Sequence, residues 1–192
     1  MDDPTERGAA LEALARLIDE AETVVAFTGA GISTESGIPD FRSPGGLWTR
    51  YRPIDYRDFV SSEEARRETW RRKFAMEKEI GTVEPNAGHR ALTKLHEAGK
   101  LSHIITQNID GLHVASGMPA EAVIELHGNG TYASCLQCAK RYELDWVREI
   151  FADNERLPVC SKCGGMVKTA TISFGQSMPE DEMARAKAAT FG

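Results

Sequence analysis

The segment 28–42, Thr-Gly-Ala-Gly-Ile-Ser-Thr-Glu-Ser-Gly-Ile-Pro-Asp-Phe-Arg, constrains the fold more than any other part of the chain. It follows an apolar stretch, 24–27, whose length and β-branched, aromatic character are typical of a buried parallel strand. Glycine has no Cβ and tolerates positive φ, so the N–H groups around Gly29 and Gly31 can turn toward phosphate oxygens. The sequence therefore predicts an α/β protein whose first strand opens into a phosphate-binding loop.

The same segment argues against an ordinary dinucleotide fingerprint. Thr34 occupies the position of the third glycine, and Asp55 and Asp58 lie at the spacing of the ribose-binding acid without a strand pattern before them. A Gly-x-Gly pair alone also occurs in plain turns. The polar extension through 39–42 makes the motif informative, and residues 32–56 read as one long ordered loop, a length usually associated with function.

Length and composition indicate one globular domain, or a domain with a small insert. The chain has 192 residues, of which 41% are hydrophobic and 27% charged, close to the average for soluble proteins. The net charge of −6 disfavours a nucleic-acid backbone as the main partner and suits a basic peptide. No apolar run reaches the length of a membrane span, and the acidic start lacks a signal-peptide pattern. We therefore expect a cytoplasmic protein without membrane or direct nucleic-acid binding.

Three helices are predicted before the second strand, at 11–18, 63–80 and 87–97. Leucines at helical spacing predict that the first helix packs beside the first strand. The second helix is highly charged, and Trp70 and Phe74 are the candidates for its buried side. Asn86 is the expected cap of the third helix, which Gly99 ends.

Three further strands are predicted, at 103–106, 122–126 and 169–174. Polar or glycine residues follow every strand: Thr28-Gly29, then residues 106–110, His127-Gly128, and residues 174–176. Ligands of open parallel sheets bind just outside the carboxyl ends of the strands. The four strand ends are therefore expected to converge on one crevice.

The cysteines form two Cys-x-x-Cys pairs, Cys135 with Cys138 and Cys160 with Cys163. Two such pairs can place four thiolates around a structural Zn²⁺ ion, at about 2.3 Å per sulfur. The intervening segment 139–159 slightly exceeds the usual length and is expected to contain a helix near 145–151. Two disulfides or a redox pair are the alternatives, which a cytosolic location and the presence of two separate pairs disfavour.

His127 is the histidine best placed for catalysis, because it ends a strand beside a glycine that clears space. Histidine is the side chain type that most often acts as a general base, although a histidine that merely caps the sheet would have the same position. His113 follows the 106–112 segment and is expected either to support that loop or to contact the ligand. His89, His96 and His103 are read as core or surface residues.

Taken together, these motifs resemble the sirtuin family of NAD-dependent protein deacylases. The shared segments occur in the family's order over about residues 24–180: Gly29-Ala30-Gly31-Ile32-Ser33, 39–42, 106–113, His127-Gly128, the four cysteines and Phe174-Gly175. The resemblance implies a Rossmann-like parallel sheet that binds NAD, with a small zinc-ribbon domain inserted in it. The implied domains are residues 1–130 with a helical insert at about 50–85, the ribbon at 131–167, and a return to the first domain at 168–192.

The resemblance also implies roles for individual residues. His127 would be the catalytic base, and Asn108 would act beside it at the ribose. The cofactor-binding residues would be Gly29, Ala30, Gly31, Ser33, Asp40, Phe41, Arg42, Trp48, Gln107, Asn108, Ile109 and Asp110. Ile172, Phe174 and Gly175 would contact the substrate peptide, and Cys135, Cys138, Cys160 and Cys163 would hold one structural zinc.

The implied reaction transfers the acetyl group of acetyl-lysine to ADP-ribose. Nicotinamide leaves NAD, the amide oxygen attacks the ribose, and the base then deprotonates a ribose hydroxyl that attacks the imidate carbon. The helical region lacks the Tyr-x-x-Arg pair of family members that prefer succinyl or malonyl groups, so a neutral acyl group is expected. An acidic acyl group is not excluded, because Arg50 and Arg52 could pair with its charge. Gln176 stands where many family members have Glu after Phe-Gly, and we expect this difference to have little effect on activity.

In the family, further strands complete the adenosine half of the site, and residues 1–192 contain no counterpart of their motifs. The sheet is therefore expected to be incomplete, and the chain to be either a fragment of a longer enzyme or a shortened homologue with weak NAD binding. Mono-ADP-ribosyl transfer on the same scaffold, and non-catalytic binding of NAD or acyl-lysine, remain the alternatives to deacetylation.

Overall fold

The structure is a computed structural model that describes residues 4–40, 46 and 52–191. Seven helices are described in these ranges: α1 (Pro4–Glu20), α2 (Tyr56–Ser61), α3 (Glu63–Ile80), α4 (Ala87–Glu97), α5 (Leu112–Ala115), α6 (Leu144–Ala152) and α7 (Glu180–Phe191). Six strands accompany them: β1 (Val24–Thr28), β2 (Leu101–Thr106), β3 (Val123–Glu125), β4 (Gly128–Cys135), β5 (Arg141–Glu143) and β6 (Val167–Thr171). Two short 3₁₀ helices span Ala30–Ser36 and Ala120–Ala122.

Strands β1, β2 and β3 form a parallel sheet with β2 at its centre. Thr28 pairs with Thr106, and Thr106 with Glu125, so the three strands end level with one another. Helix α4 packs on this sheet, and its Leu92 and Leu95 join a core that includes Leu101 and Ile104. The predicted α/β fold with a parallel sheet is confirmed.

The ends of the two central helices follow the sequence signals. The Ser62 hydroxyl accepts the Ala65 N–H at the start of α3. The Asn86 carboxamide oxygen accepts the Gly88 and His89 N–H groups, and the His89 ring accepts the Asn86 N–H in return. Such caps satisfy N–H groups that have no partner within a helix. The predicted bounds 63–80 and 87–97 are confirmed.

A second sheet is antiparallel, in the order β5-β4-β6. The expectation that the fourth predicted strand ends at the parallel sheet's edge like the others is therefore wrong, because β6 pairs with β4 through Cys135 and Val167. This sheet has its own core of Ala133, Tyr142, Val147, Phe151 and neighbouring residues. Trp70 from α3 is fully buried in that core, so the helical segment packs on the cysteine-bearing sheet. We name the second sheet with α3 and α6 the small module.

Helix α1 forms as predicted, but its leucines do not form a buried face. Leu11, Leu14 and Leu17 are each more than half exposed, and Phe27 of β1 is 62% exposed. The helical spacing of the leucines is correct, while their predicted packing beside β1 is wrong. Within the described ranges, no helix combines the length and the apolar character that crossing a bilayer requires.

Candidate active site and metal centre

A cleft of about 730 Å³ opens at the carboxyl end of the parallel sheet. It lies between the loop that follows β1, the loop that follows β2, and the segment that follows β6. Ten predicted site residues line it: Ala30, Gly31, Asp40, Gln107, Asn108, Ile109, His127, Ile172, Phe174 and Gly175. The predicted convergence of four strand ends is found, although the fourth strand belongs to the other sheet.

The strand β6 reaches the cleft because it runs beside the start of β4. The Ile172 N–H donates to the His127 carbonyl at 2.8 Å, one residue beyond the last residue of β6. Gly128 has φ +69, and a Cβ there would lie 2.1 Å from the Ala170 carbonyl oxygen. Only glycine permits this approach, so the His127-Gly128 pair lets the two sheets join at the cleft.

His127 is half-buried in the cleft wall, and its tautomer follows from one contact. The Nδ1 atom lies 2.9 Å from the Gln107 carbonyl oxygen. A carbonyl can only accept, so in the neutral ring Nδ1 carries the proton. Nε2 is then the nitrogen with a lone pair, which is the arrangement that a general base needs.

Asn108 is held by the loop that it faces. Its Nδ2 donates to the Gly29 carbonyl at 3.1 Å and to the Ser33 hydroxyl at 3.2 Å. The Ser33 hydroxyl donates to the Asp110 carboxylate at 2.7 Å, and that carboxylate also accepts the Leu112 N–H. The glycine loop and the loop after β2 are therefore fixed to each other through Asn108, Ser33 and Asp110.

Three of the predicted cofactor-binding residues, Gly29, Ser33 and Asp110, lie behind the cleft wall in this network rather than in the wall. Phe41, Arg42 and Trp48 lie outside the described residues. The sequence reading missed four other residues of the wall: Thr171, Ser173, Gln176 and Met178. They flank the predicted Ile172 and Phe174, so their position next to a strand end was the only sequence signal that could have identified them.

A pair of buried histidines supports the same loops from beneath. The His113 Nε2 lies 2.9 Å from the Thr28 hydroxyl, which donates to the Thr106 hydroxyl at 2.8 Å. The His89 and His113 rings have centroids 5.0 Å apart. Burial, and secondarily the neighbouring His89, lower the pKa of His113 to about 4, and burial also lowers the pKa of His89. Both rings are therefore neutral at neutral pH. Of the two roles expected for His113, its contact with Thr28 corresponds to support of the loop, and His89 is a core residue as expected.

The four cysteine sulfurs lie within 4.8 Å of one another in the small module. The Cys135 and Cys163 sulfurs are 3.5 Å apart, and those of Cys138 and Cys160 are 3.6 Å apart. Four thiolates at about 2.3 Å from one tetrahedral zinc lie roughly 3.8 Å from each other. The sulfur cluster therefore fits one Zn²⁺, and separations of this size are far longer than a disulfide's S–S bond of about 2.05 Å.

The Sir2 family profile matches residues 29–190. Among curated relatives, the NAD-dependent protein deacetylase 1 of Bradyrhizobium diazoefficiens is 61% identical over 178 residues, which are 93% of this chain and 70% of that protein. The NAD-dependent protein deacetylase of Rhodopseudomonas palustris is 58% identical, over 92% of this chain and 70% of its own length.

Solved Sir2 structures share the fold. A complex described as Sir2–p53 peptide–NAD⁺ is 34% identical with a TM-score of 0.76, covering 94% of this chain and 71% of that one. A Sir2 variant with deacetylated p53 peptide and 3′-O-acetyl ADP-ribose has a TM-score of 0.78 and 34% identity, over 94% of this chain and 72% of that one. The family match spans most of the chain, so this protein belongs to the Sir2 family of enzymes.

Proposed function

We propose that the protein is a NAD-dependent protein-lysine deacetylase that transfers acetyl from acetyl-lysine to ADP-ribose and releases nicotinamide. The observation that carries the proposal is the convergence of His127 and Asn108 with the Ala30-Gly31 loop on one cleft. Curated relatives up to 61% identical are named for this activity. The cleft thus combines a general base with a loop suited to phosphates.

In this proposal NAD lies along the cleft, with its phosphates against the N–H groups of Ala30 and Gly31. Gln107 and Asn108 contact the ribose. The Asn108 Nδ2 already donates to Gly29 and Ser33, which leaves its carboxamide oxygen to accept from a ribose hydroxyl. Ile109 lines the nicotinamide side, where Asp110 holds the loop in place through Ser33 and the Leu112 N–H, and Asp40 lines the cleft on the loop side.

His127 acts as the base once nicotinamide has left. Its Nε2 takes the proton of a ribose hydroxyl, whose oxygen then attacks the imidate carbon formed from the acetyl amide. The Gln107 carbonyl holds the Nδ1 proton and so supports the charge that the ring acquires. No side-chain nucleophile enters this scheme.

The acyl-lysine peptide enters along the segment that follows β6. Ile172, Phe174 and Gly175 line the cleft there, and Phe174 is 52% exposed. The half-exposed Phe174 ring offers the peptide an apolar contact at the edge of the cleft. Proteins with accessible acetyl-lysine are the proposed partners. The expectation that nucleic acid does not bind directly stays a prediction.

Zinc in the four-cysteine cluster is proposed to be structural. A closed set of four thiolates leaves no position for water or substrate, so the metal supplies folding energy rather than catalysis. The small module would then present its cleft side as a fixed wall. We propose that α3 belongs with this module in function, because Trp70 lies in its core.

The test is to incubate the protein with an acetylated peptide and NAD and to identify all products by mass spectrometry. Deacetylated peptide, nicotinamide and O-acetyl-ADP-ribose in equal amounts would support the proposal. An ADP-ribosylated peptide would instead indicate mono-ADP-ribosyl transfer. Binding of NAD or peptide without turnover would indicate a non-catalytic binding protein.

A further inference from the structure

Lys73 lies on α3, outside the cleft, yet its ammonium contacts backbone next to the cleft. Its Nζ donates to the Gly130 carbonyl at 2.7 Å and pairs with the Glu77 carboxylate at 2.9 Å. The Lys73 side chain is only 22% exposed. A charged donor in such a partly dehydrated position makes a stronger hydrogen bond than a neutral one.

Gly130 connects this contact to the cofactor loop. Its N–H donates to the Ile109 carbonyl at 2.7 Å, and a Cβ at Gly130 would lie 2.9 Å from that oxygen. Ile109 lines the cleft. A glycine has more conformational freedom than any other residue, so its orientation depends on the hydrogen bonds around it. The Gly130 carbonyl accepts from Lys73 and its N–H donates to Ile109, while the next N–H, that of Thr131, donates to the Asn129 side chain.

The other side of the Lys73 contact is anchored in the small module. The second carboxylate oxygen of Glu77 accepts from Arg148 on α6 at 2.6 Å. The Arg148 guanidinium in turn lies over the Phe74 ring, 4.4 Å from its centroid. Lys73, held by Glu77 and Arg148, therefore fixes the start of β4 within the small module, and the Gly130 N–H carries this position to the Ile109 loop.

We infer that Lys73 is a positioning residue for the nicotinamide side of the reaction. By fixing Gly130 it holds the Ile109 carbonyl, and with it the loop against which nicotinamide leaves and returns. This inference rests on the proposed function, because the affected step is nicotinamide release and rebinding. Lys73 itself does not line the cleft.

The experiment compares the full chain with Lys73→Met and Lys73→Arg. In Lys73→Met, the nicotinamide concentration that gives half-maximal base exchange should rise roughly 2- to 30-fold, the range expected for residues that couple two regions. The KM for the acetylated peptide should stay within twofold. Lys73→Arg keeps a charged donor and should restore most of the exchange.

Lys78→Met is the matched control, since it removes the same charge from an exposed position on the same helix and should leave exchange unchanged. A second readout needs no activity: hydrogen–deuterium exchange of the Gly130 amide should accelerate in Lys73→Met and not in Lys78→Met.

If Lys73→Met does not fold, Glu77→Gln replaces it and should change both readouts in the same direction. Equal behaviour of the position-73 or position-77 variant and the control in both readouts would overturn the inference. If wild type deacetylates nothing while the amide exchange changes as expected, the proposed function fails and the Lys73 contact stands.

Discussion

The cleft and the cysteine centre are both built from polar side chains, but different interactions hold them in place. At the cleft, Asn108, Ser33 and Asp110 are fixed by directional hydrogen bonds between two loops. At the cysteine centre, four sulfurs lie beside an apolar core that includes Trp70 and Phe151. A change at the first should alter the chemistry of a folded protein, and a change at the second should alter the fold.

The difference follows from where each set lies in the chain. Cleft residues follow strands of a sheet that already has its own core, with Ile104 fully buried. The small module has short strands of three to eight residues, and its four clustered sulfurs are placed so that one metal ion could cross-link them. Small cores of this kind usually require a metal or disulfides for stability. Four predictions test this contrast, from the largest expected effect to the smallest.

Cys135→Ser should release zinc and unfold the small module. Binding of a structural zinc is worth roughly 10–16 kcal/mol in small metal-dependent domains, and that energy is folding energy. Zinc content by mass spectrometry under native conditions and thermal unfolding by circular dichroism measure the effect. Retention of one zinc equivalent with unchanged thermal stability would contradict the structural assignment.

His127→Ala should lower turnover by ~10²–10⁴-fold, the usual loss of a general base, while the unfolding temperature stays the same. Steady-state kinetics with acetylated peptide and NAD measure it. His96→Ala is the control, because the His96 ring bonds the Leu101 carbonyl at the opposite end of β2 from the cleft. Equal losses in the two variants would remove any special role for His127.

The buried His113 should make stability fall below neutral pH. Its pKa is lowered to about 4 in the folded protein, mainly by burial, and is 6.5 in the unfolded chain. The unfolded chain therefore binds the proton first as the pH falls. The contribution of the neutral His113 to stability is complete above pH 6.5 and should be lost progressively down to about pH 4.

The size of this loss is on the order of 3 kcal/mol in the free energy of unfolding. Urea unfolding between these pH values measures it, and His113→Gln should flatten the pH dependence. The difference between wild type and variant separates the effect of His113 from any loss of a cysteine-bound metal in acid, which both proteins would share. His96→Gln should keep the slope, since it leaves His113 in place. A slope that His113→Gln does not change would count against this account of the buried pair.

Asn108→Ala should weaken nicotinamide inhibition and raise the KM for NAD roughly tenfold, because two hydrogen bonds between the loops are lost. Ser33→Ala also removes two hydrogen bonds between the loops, to Asn108 and to Asp110, but it keeps the Asn108 carboxamide that contacts the ribose in the proposal, so it should have the smaller effect. Inhibition curves with nicotinamide at fixed NAD compare them. If Ser33→Ala is the more damaging change, the Ser33–Asp110 hydrogen bond rather than Asn108 holds the loops.

The helices and the site motifs were readable from the sequence because their signals are local. The Ser62 and Asn86 caps lie within a turn of the N–H groups that they satisfy, so the predicted bounds of α3 and α4 agree with the structure. The Cys-x-x-Cys spacing predicted a four-sulfur cluster for the same reason. Strand ends followed by polar residues predicted most of the cleft wall, since a parallel sheet brings those ends to one edge.

Only the tertiary structure decided which elements pair. The short sequence of β6, Val-Lys-Thr-Ala-Thr, does not reveal which sheet the strand joins, and its antiparallel pairing with β4 depends on Gly128, whose missing Cβ admits the Ala170 carbonyl. The burial of Trp70 in the small module and the contact of His89 with His113 likewise join residues far apart in the chain. Periodicity places the leucines of α1 on one helix face, but it does not reveal what covers that face. Hydrogen bonds within a helix are set by neighbours in sequence, whereas strand partners and core contacts are set by the packing of the whole chain.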